Sequence, residues 1–193
     1  MNKINYFSPD FVDQMLTSNP NRYNDDWTVG RNKEILNFVK NTKFNNIFEF
    51  AGGTGSLAKM FLVAHPEIKS YIFSDYSPIA CKLAKEHLEG INNITVKLYD
   101  ITKDLDNIPW KNFDLVICTS MEHFPKGVDI EILNYIQKGT YILWGLSTSL
   151  TITHQHIYPS IEYVIARFKD IVDIENISYS IRKRQVLLWG KHI

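Results

Sequence analysis

The stretch from Ile47 to Gly55, Ile-Phe-Glu-Phe-Ala-Gly-Gly-Thr-Gly, constrains this chain more than any other. An apolar run ends in an acid, a tight glycine turn follows at once, and Ser56 to His65 reads as a helix ended by Pro66. A strand that drops through such a turn into a helix N-terminus opens a nucleotide-sized crevice. Glycine is needed there because a Cβ would strain the turn and block a ligand lying on the backbone. About twenty residues on, Asp75 closes a second apolar run from Tyr71. A carboxylate so placed can take both hydroxyls of a ribose.

Strands and helices alternate from there. Extended runs are predicted over 46–51, 71–75, 94–99, 114–119 and 140–144, and helices over 31–39, 77–88, 129–137 and 158–168. Ser77 and Pro78 carry a cap and a first-turn proline, and Gly90 closes that helix. The run at 114–119 is apolar on both faces, as a central parallel strand should be. A hairpin is predicted over 171–180 and 185–191. The fold class that follows is α/β, a doubly wound, mostly parallel seven-stranded sheet with a C-terminal antiparallel hairpin and helices on both faces. Residues 8–30 read as irregular apart from a short helix at 11–16. The chain reads as one domain, 1–193, with a lid-like segment over 1–30 and the core over 31–193.

The glycine turn alone leaves the cofactor open, because Gly53, Gly55 and Ala58 also satisfy the dinucleotide form G-x-G-x-x-A. Glu49 just before the turn would repel a pyrophosphate and attract a cationic ligand. A second acid, Asp100, ends the third apolar run.

Taken together, these features resemble the class I S-adenosylmethionine (SAM) methyltransferases. Glu49 to Gly55 is similar to that family's first motif, E/D-x-G-x-G-x-G, with Ala51 in place of its first glycine. The resemblance implies that SAM lies on Ala51, Gly52, Gly53 and Gly55, with Glu49 toward its methionine end. It gives Asp75 the ribose and Asp100 the adenine amino group, with Ile101 packed on the ring. Tyr76 and Thr119 complete the implied cofactor set.

The Glu122-His123 pair after the fourth run resembles one found where donor meets acceptor in this family. His123 and His154 are the candidate catalytic bases, and Glu122, His156, Tyr158 and Trp27 the candidate acceptor contacts. The order His154, Tyr158, Ser160, Arg167, Phe168 is also similar to that family, as is a lid built from Tyr23, Asp26 and Trp27. Adjacent Glu122 and His123 also suit a metal, but a metal needs three or four converging ligands and no second spaced cluster follows, so no metal is expected. Arg182-Lys183-Arg184 reads as a solvated hairpin turn, too few charges for phosphate binding.

Formal net charge is +0, which gives neither a basic nucleic-acid surface nor a polybasic membrane anchor. The first residues lack the apolar core of a signal peptide, and no run approaches the length of a membrane span. Cys81 and Cys118 sit in apolar segments and read as buried thiols, in keeping with the cytoplasm. The expected activity is methyl transfer from SAM to oxygen or nitrogen of a small molecule. The expectation leaves a monomer or a homodimer open. Two alternatives remain: a nicotinamide-dependent oxidoreductase in the same crevice, and a SAM-binding domain without catalysis.

Overall fold

The computed structural model describes residues 9–22, 25–149, 151, 154–180 and 184–193. Two helices come first, α1 (Pro9–Ser18) and α2 (Asp26–Val39). Five strands then alternate with helices. They are β1 (Asn46–Glu49), α3 (Ser56–Ala64), β2 (Ser70–Asp75), α4 (Pro78–His87), β3 (Ile94–Leu98), β4 (Leu115–Cys118), α5 (Val128–Tyr135) and β5 (Tyr141–Ser147). The chain continues through α6 (Ile161–Phe168), β6 (Val172–Tyr179) and β7 (Gln185–His192).

These strands form one seven-stranded sheet in the order β3-β2-β1-β4-β5-β7-β6. Pairings among β1 to β5 are parallel, and β7 inserts antiparallel between β5 and β6. The sheet matches the expected class, and β7 is its single antiparallel strand. Successive strand residues point to opposite faces. Ile47 and Tyr71 therefore join a core beneath α2 and α3, while Phe48, Val116 and Trp144 join the core on the other face. Both faces are covered, which is why β4 is buried at all four positions. Strand order reverses between β1 and β4, and a crevice opens there at the carboxyl ends of the strands.

Two boundaries differ from the sequence reading. Helix α2 begins at Asp26, not at Arg31, because the Asp25 carboxylate caps it by accepting from Thr28 N at 2.8 Å. Gly30, the last residue of the stretch read as irregular, lies inside that helix, so the division at residue 30 falls within an element. An internal glycine costs only about 1 kcal/mol, which the packed stripe of Ile35 and Val39 outweighs. Helix α6 starts at Ile161 after a cap by Ser160, whose hydroxyl accepts from Tyr163 N at 3.2 Å, and not at Tyr158. No described helix is long and apolar enough to cross a membrane. Cys81 and Cys118 are buried and free.

Candidate active site

The turn after β1 is tight. Ala51 holds φ 54°, and Gly53 and Gly55 hold 62° and 79°. A Cβ on Gly52 would lie 2.2 Å from the Phe73 ring, so only glycine lets β1 turn over β2 at this point. Gly53 donates its amide to Asp75 Oδ2 and Ser77 donates its amide to Asp75 Oδ1, each at 3.0 Å. Burial pushes the Asp75 carboxyl up to about 6, against the pull of these amides. Each carboxylate oxygen keeps lone-pair capacity for a further donor.

Glu49 ends β1 with its side chain buried and accepts from Tyr71 Oη at 2.8 Å. Burial pushes its carboxyl up to about 8, opposed by Tyr71 and by the Arg31 charge. Arg31 comes from α2. Its Nη2 and Nε donate to Asn32 Oδ1 at 3.2 and 3.4 Å, and its guanidinium lies over the Trp27 ring at 5.1 Å. Burial lowers the Arg31 pKa, while Glu122 and Glu49 oppose the shift. One cation thus serves two buried acids.

Glu122 follows β4 on a short 3₁₀ turn and is 3% exposed. Its Oε2 accepts from Ser147 N at 3.2 Å, and its Oε1 accepts from Gln185 Nε2 at 3.3 Å. The Nε2 atoms of His154 and His123 stand 3.9 and 4.0 Å from Oε1. The two imidazoles meet edge to face with centroids 5.1 Å apart. Burial holds the Glu122 carboxyl above its ordinary range and pulls His154 below its own, while the two groups draw each other back. His154 Nδ1 lies 2.6 Å from the Ser149 carbonyl oxygen, which can only accept. Nδ1 therefore carries the proton, and the neutral ring presents a lone pair at Nε2.

The three acids Glu49, Asp75 and Glu122, with Arg31, Gln185 and both imidazoles, line one cavity of about 690 Å³, within the range of small-molecule sites. Glu49, Ala51, Gly52, Gly53, Asp75, Tyr76, Asp100, Thr119, Trp27, Glu122, His123 and His154 reach its wall. Other expected residues stand elsewhere. Gly55 is not on the wall, because the position of its Cβ faces Leu88 at 3.0 Å, so it shapes the turn and admits α4. Ile101 is buried in the core beneath the sheet instead of facing a ring in the cavity. Tyr158 is fully buried and donates to Asp129 Oδ2 at 2.9 Å, beside the Arg167–Asp129 ion pair. It is a core residue, not an acceptor contact. His156 also lies off the wall, with Nδ1 3.1 Å from Phe124 O and its ring against Tyr158.

Asp100 reaches the cavity with its carboxylate already engaged. It accepts from Thr102 N at 3.1 Å, Thr102 Oγ1 at 2.6 Å and Lys103 Nζ at 2.6 Å. Tyr23, Arg182 and Lys183 lie outside the described residues, whereas Arg184 is exposed, as expected of a solvated turn, and also lines the cavity.

Sequence reasoning missed four contributors. Arg31 was legible in principle, since it continues the stripe of Ile35 and Val39 at helical spacing. Asn32, on the same helix, reaches across to α3, its Nδ2 donating to Ser56 Oγ at 3.4 Å. Gln185 reaches the site only because β7 lies beside β5. Helix α1 supplies Phe11, Val12 and Met15 to the wall. It is pinned by Asp13, whose Oδ1 accepts from Ser77 Oγ at 2.5 Å and from Ile79 N at 3.2 Å.

No protein-family model and no curated protein sequence matches the chain. Solved structures do. The N-methyltransferase NodS from Bradyrhizobium japonicum WM9, in complex with S-adenosylhomocysteine, superposes with a TM-score of 0.72 at 16% identity, over 94% of this chain and 98% of its own. An O-methyltransferase family protein from Burkholderia thailandensis gives 0.68 at 15% identity, over 97% of this chain and 63% of its own. The pyocyanin biosynthetic protein PhzM gives 0.68 at 12% identity, over 86% of this chain and 55% of its own. With its strand order and its antiparallel β7, the chain has the fold of the class I S-adenosylmethionine-dependent methyltransferases.

Proposed function

We propose that this protein transfers a methyl group from SAM to an oxygen or nitrogen of a small-molecule acceptor. The observation that carries the reading is one cavity lined both by Glu49, the bare Gly52–Gly53 backbone and Asp75 and by Glu122, His123 and His154. We read the first group as the cofactor end and the second as the acceptor end. The cofactor end fits SAM. A Cβ at Gly52 has no room, Asp75 keeps acceptor capacity for ribose hydroxyls, and the buried Trp27 Nε1 on the same wall has no hydrogen-bond partner among the described residues. Arg31 suits the cofactor's carboxylate and Glu49 its ammonium group. That NodS carries S-adenosylhomocysteine in the same fold supports the choice.

When bound, SAM supplies a sulfonium-activated methyl. The protein's work is then mainly alignment, which can supply roughly 7–11 kcal/mol of the barrier. For a hydroxyl acceptor, the neutral His154 ring takes the proton at Nε2. Its tautomer is held by Ser149 O, and Glu122 at 3.9 Å stabilises the imidazolium that forms. His123 is the second base candidate on the same wall. A neutral amine needs no base in the transfer step. Apolar residues of α1, Phe11, Val12 and Met15, line the cavity beside Trp27 of α2. The buried free thiols suit a cytoplasmic setting.

Calorimetry with S-adenosylhomocysteine and NADH tests the cofactor, with micromolar binding expected for the first only. Tight NADH binding with none for S-adenosylhomocysteine would replace this reading with an oxidoreductase. A methyl-acceptor screen by mass spectrometry tests turnover, and cofactor binding without any product would leave a binding domain.

A further inference from the structure

We infer that Glu122, His123 and His154 form a site for one divalent transition-metal ion of the zinc class, set in the wall of the cavity. One ligand atom from each lies within 4.8 Å of those of the other two. A point equidistant from three atoms so spaced lies about 2.5 Å from each, so shifts of about 0.4 Å reach the 2.0–2.2 Å of zinc–nitrogen and zinc–oxygen bonds. Two imidazoles and one carboxylate are the donor set of open zinc sites, which leave a position for a further ligand. Here that position faces the cavity, which the same three residues line.

The surroundings hold these ligands as metal sites do. His154 Nδ1 donates to Ser149 O at 2.6 Å, which turns the Nε2 lone pair toward Glu122. A backbone carbonyl on the far ring nitrogen is the usual support of a ligating histidine. Ser147 N and Gln185 Nε2 fix the Glu122 carboxylate, and Gln185 is itself anchored, donating to Thr119 O at 2.9 Å. At 3.9 and 4.0 Å the imidazole nitrogens are too far from Oε1 for hydrogen bonds.

The inference concerns the acceptor end of the site proposed above: with an ion bound, His154 Nε2 is a ligand, so the role of base given to it there belongs to the metal-free site, and metal binding is read without cofactor or acceptor. The full chain, treated with chelator and desalted, is titrated with Zn²⁺ by calorimetry and with Co²⁺ by visible absorption. One ion per chain is expected, at micromolar affinity or tighter, with the absorption of a low-coordinate cobalt site. Glu122→Gln, which keeps the Ser147 contact, and His154→Gln should each weaken binding about 100-fold. His156→Ala, off the cavity wall, should bind as before, and circular dichroism checks that each variant folds. No stoichiometric binding, or equal binding in all variants, would overturn the site. A chain that binds zinc at these residues but not S-adenosylhomocysteine would keep this inference and lose the methyltransferase reading. A chain that methylates after chelation and binds no zinc would do the reverse.

Discussion

Gly53 donates its amide to Asp75 Oδ2 at 3.0 Å, so the glycine turn and the acid at the end of β2 are one hydrogen-bonded unit. Replacing Asp75 therefore does two things at once. Asp75→Asn keeps an acceptor oxygen but loses the charge that takes ribose hydroxyls. S-adenosylhomocysteine affinity should fall about 10- to 100-fold by calorimetry, the loss of charge-assisted bonds worth about 1.5–3 kcal/mol. Asp75→Ala should also lower the melting temperature, because it leaves the amides of Gly53 and Ser77 unpaired. Unchanged affinity in a folded Asp75→Asn would remove Asp75 from the cofactor site.

Arg31 should favour ligands that carry a carboxylate. Arg31→Met should weaken S-adenosylhomocysteine about 10-fold or more, yet leave 5′-methylthioadenosine, which has no carboxylate, nearly unaffected. Equal losses for both ligands would give Arg31 a purely structural role beneath Trp27.

The pH dependence of stability follows from Glu49. Its carboxyl is raised from 4.5 to about 8 in the folded chain, so the folded state holds that proton more tightly than the unfolded state. Its stabilising effect is full below about 4.5 and is lost as pH rises toward 8, by on the order of a few kcal/mol. Asp75 acts in the same direction between 3.8 and about 6. Without ligand, the midpoint in urea should therefore drop from pH 5 to pH 8, and Glu49→Gln should flatten that slope. A cationic cofactor favours the ionised acid, so binding near pH 7 should release a proton, read by calorimetry in buffers of different ionisation enthalpy. A rising midpoint toward pH 8 would contradict the burial of Glu49.

Ala51 is the only non-glycine residue with positive φ among the described residues. Left-handed backbone costs an L-residue roughly 1–2 kcal/mol, partly offset in Ala→Gly by the greater freedom of the unfolded chain. Ala51→Gly should thus stabilise the domain by about 0.5–1 kcal/mol, measured by thermal melting. A lower melting temperature would show that the alanine methyl contributes packing beyond its strain.

His154→Ala should lower turnover about 100-fold or more while leaving S-adenosylhomocysteine affinity within about twofold. The loss should shrink at high pH if a hydroxyl acceptor then ionises unaided. Full turnover with an unchanged Michaelis constant would shift the role of base to His123.

Sequence periodicity and turn chemistry revealed the sheet because both are local. The acid after each of the first three strands and the glycine turn were readable one segment at a time. What escaped was set by packing between segments. Tyr158 lies in sequence close to His154, yet it faces the core because Asp129 and Arg167 supply its buried partners. Ile101 follows a pocket acid yet turns inward with the chain. His154 meets Glu122 only after β5 is laid beside β4, so no spacing rule announces three ligands in one place. Arg31 received no role because a helix reading follows the apolar stripe and says nothing of a cation that continues it into the core.

The position of β7 has a kinetic consequence. The β1–β2, β2–β3 and β4–β5 pairs join consecutive strands, whereas β7 must settle between β5 and the strand just before it, so the β6–β7 hairpin has to dock its second strand on β5. Gln185, its first residue, is also the clamp on Glu122. The acceptor end of the cavity therefore stays unfinished until that hairpin has docked on β5, and hydrogen exchange at Ser147 and Gln185 would report that event residue by residue.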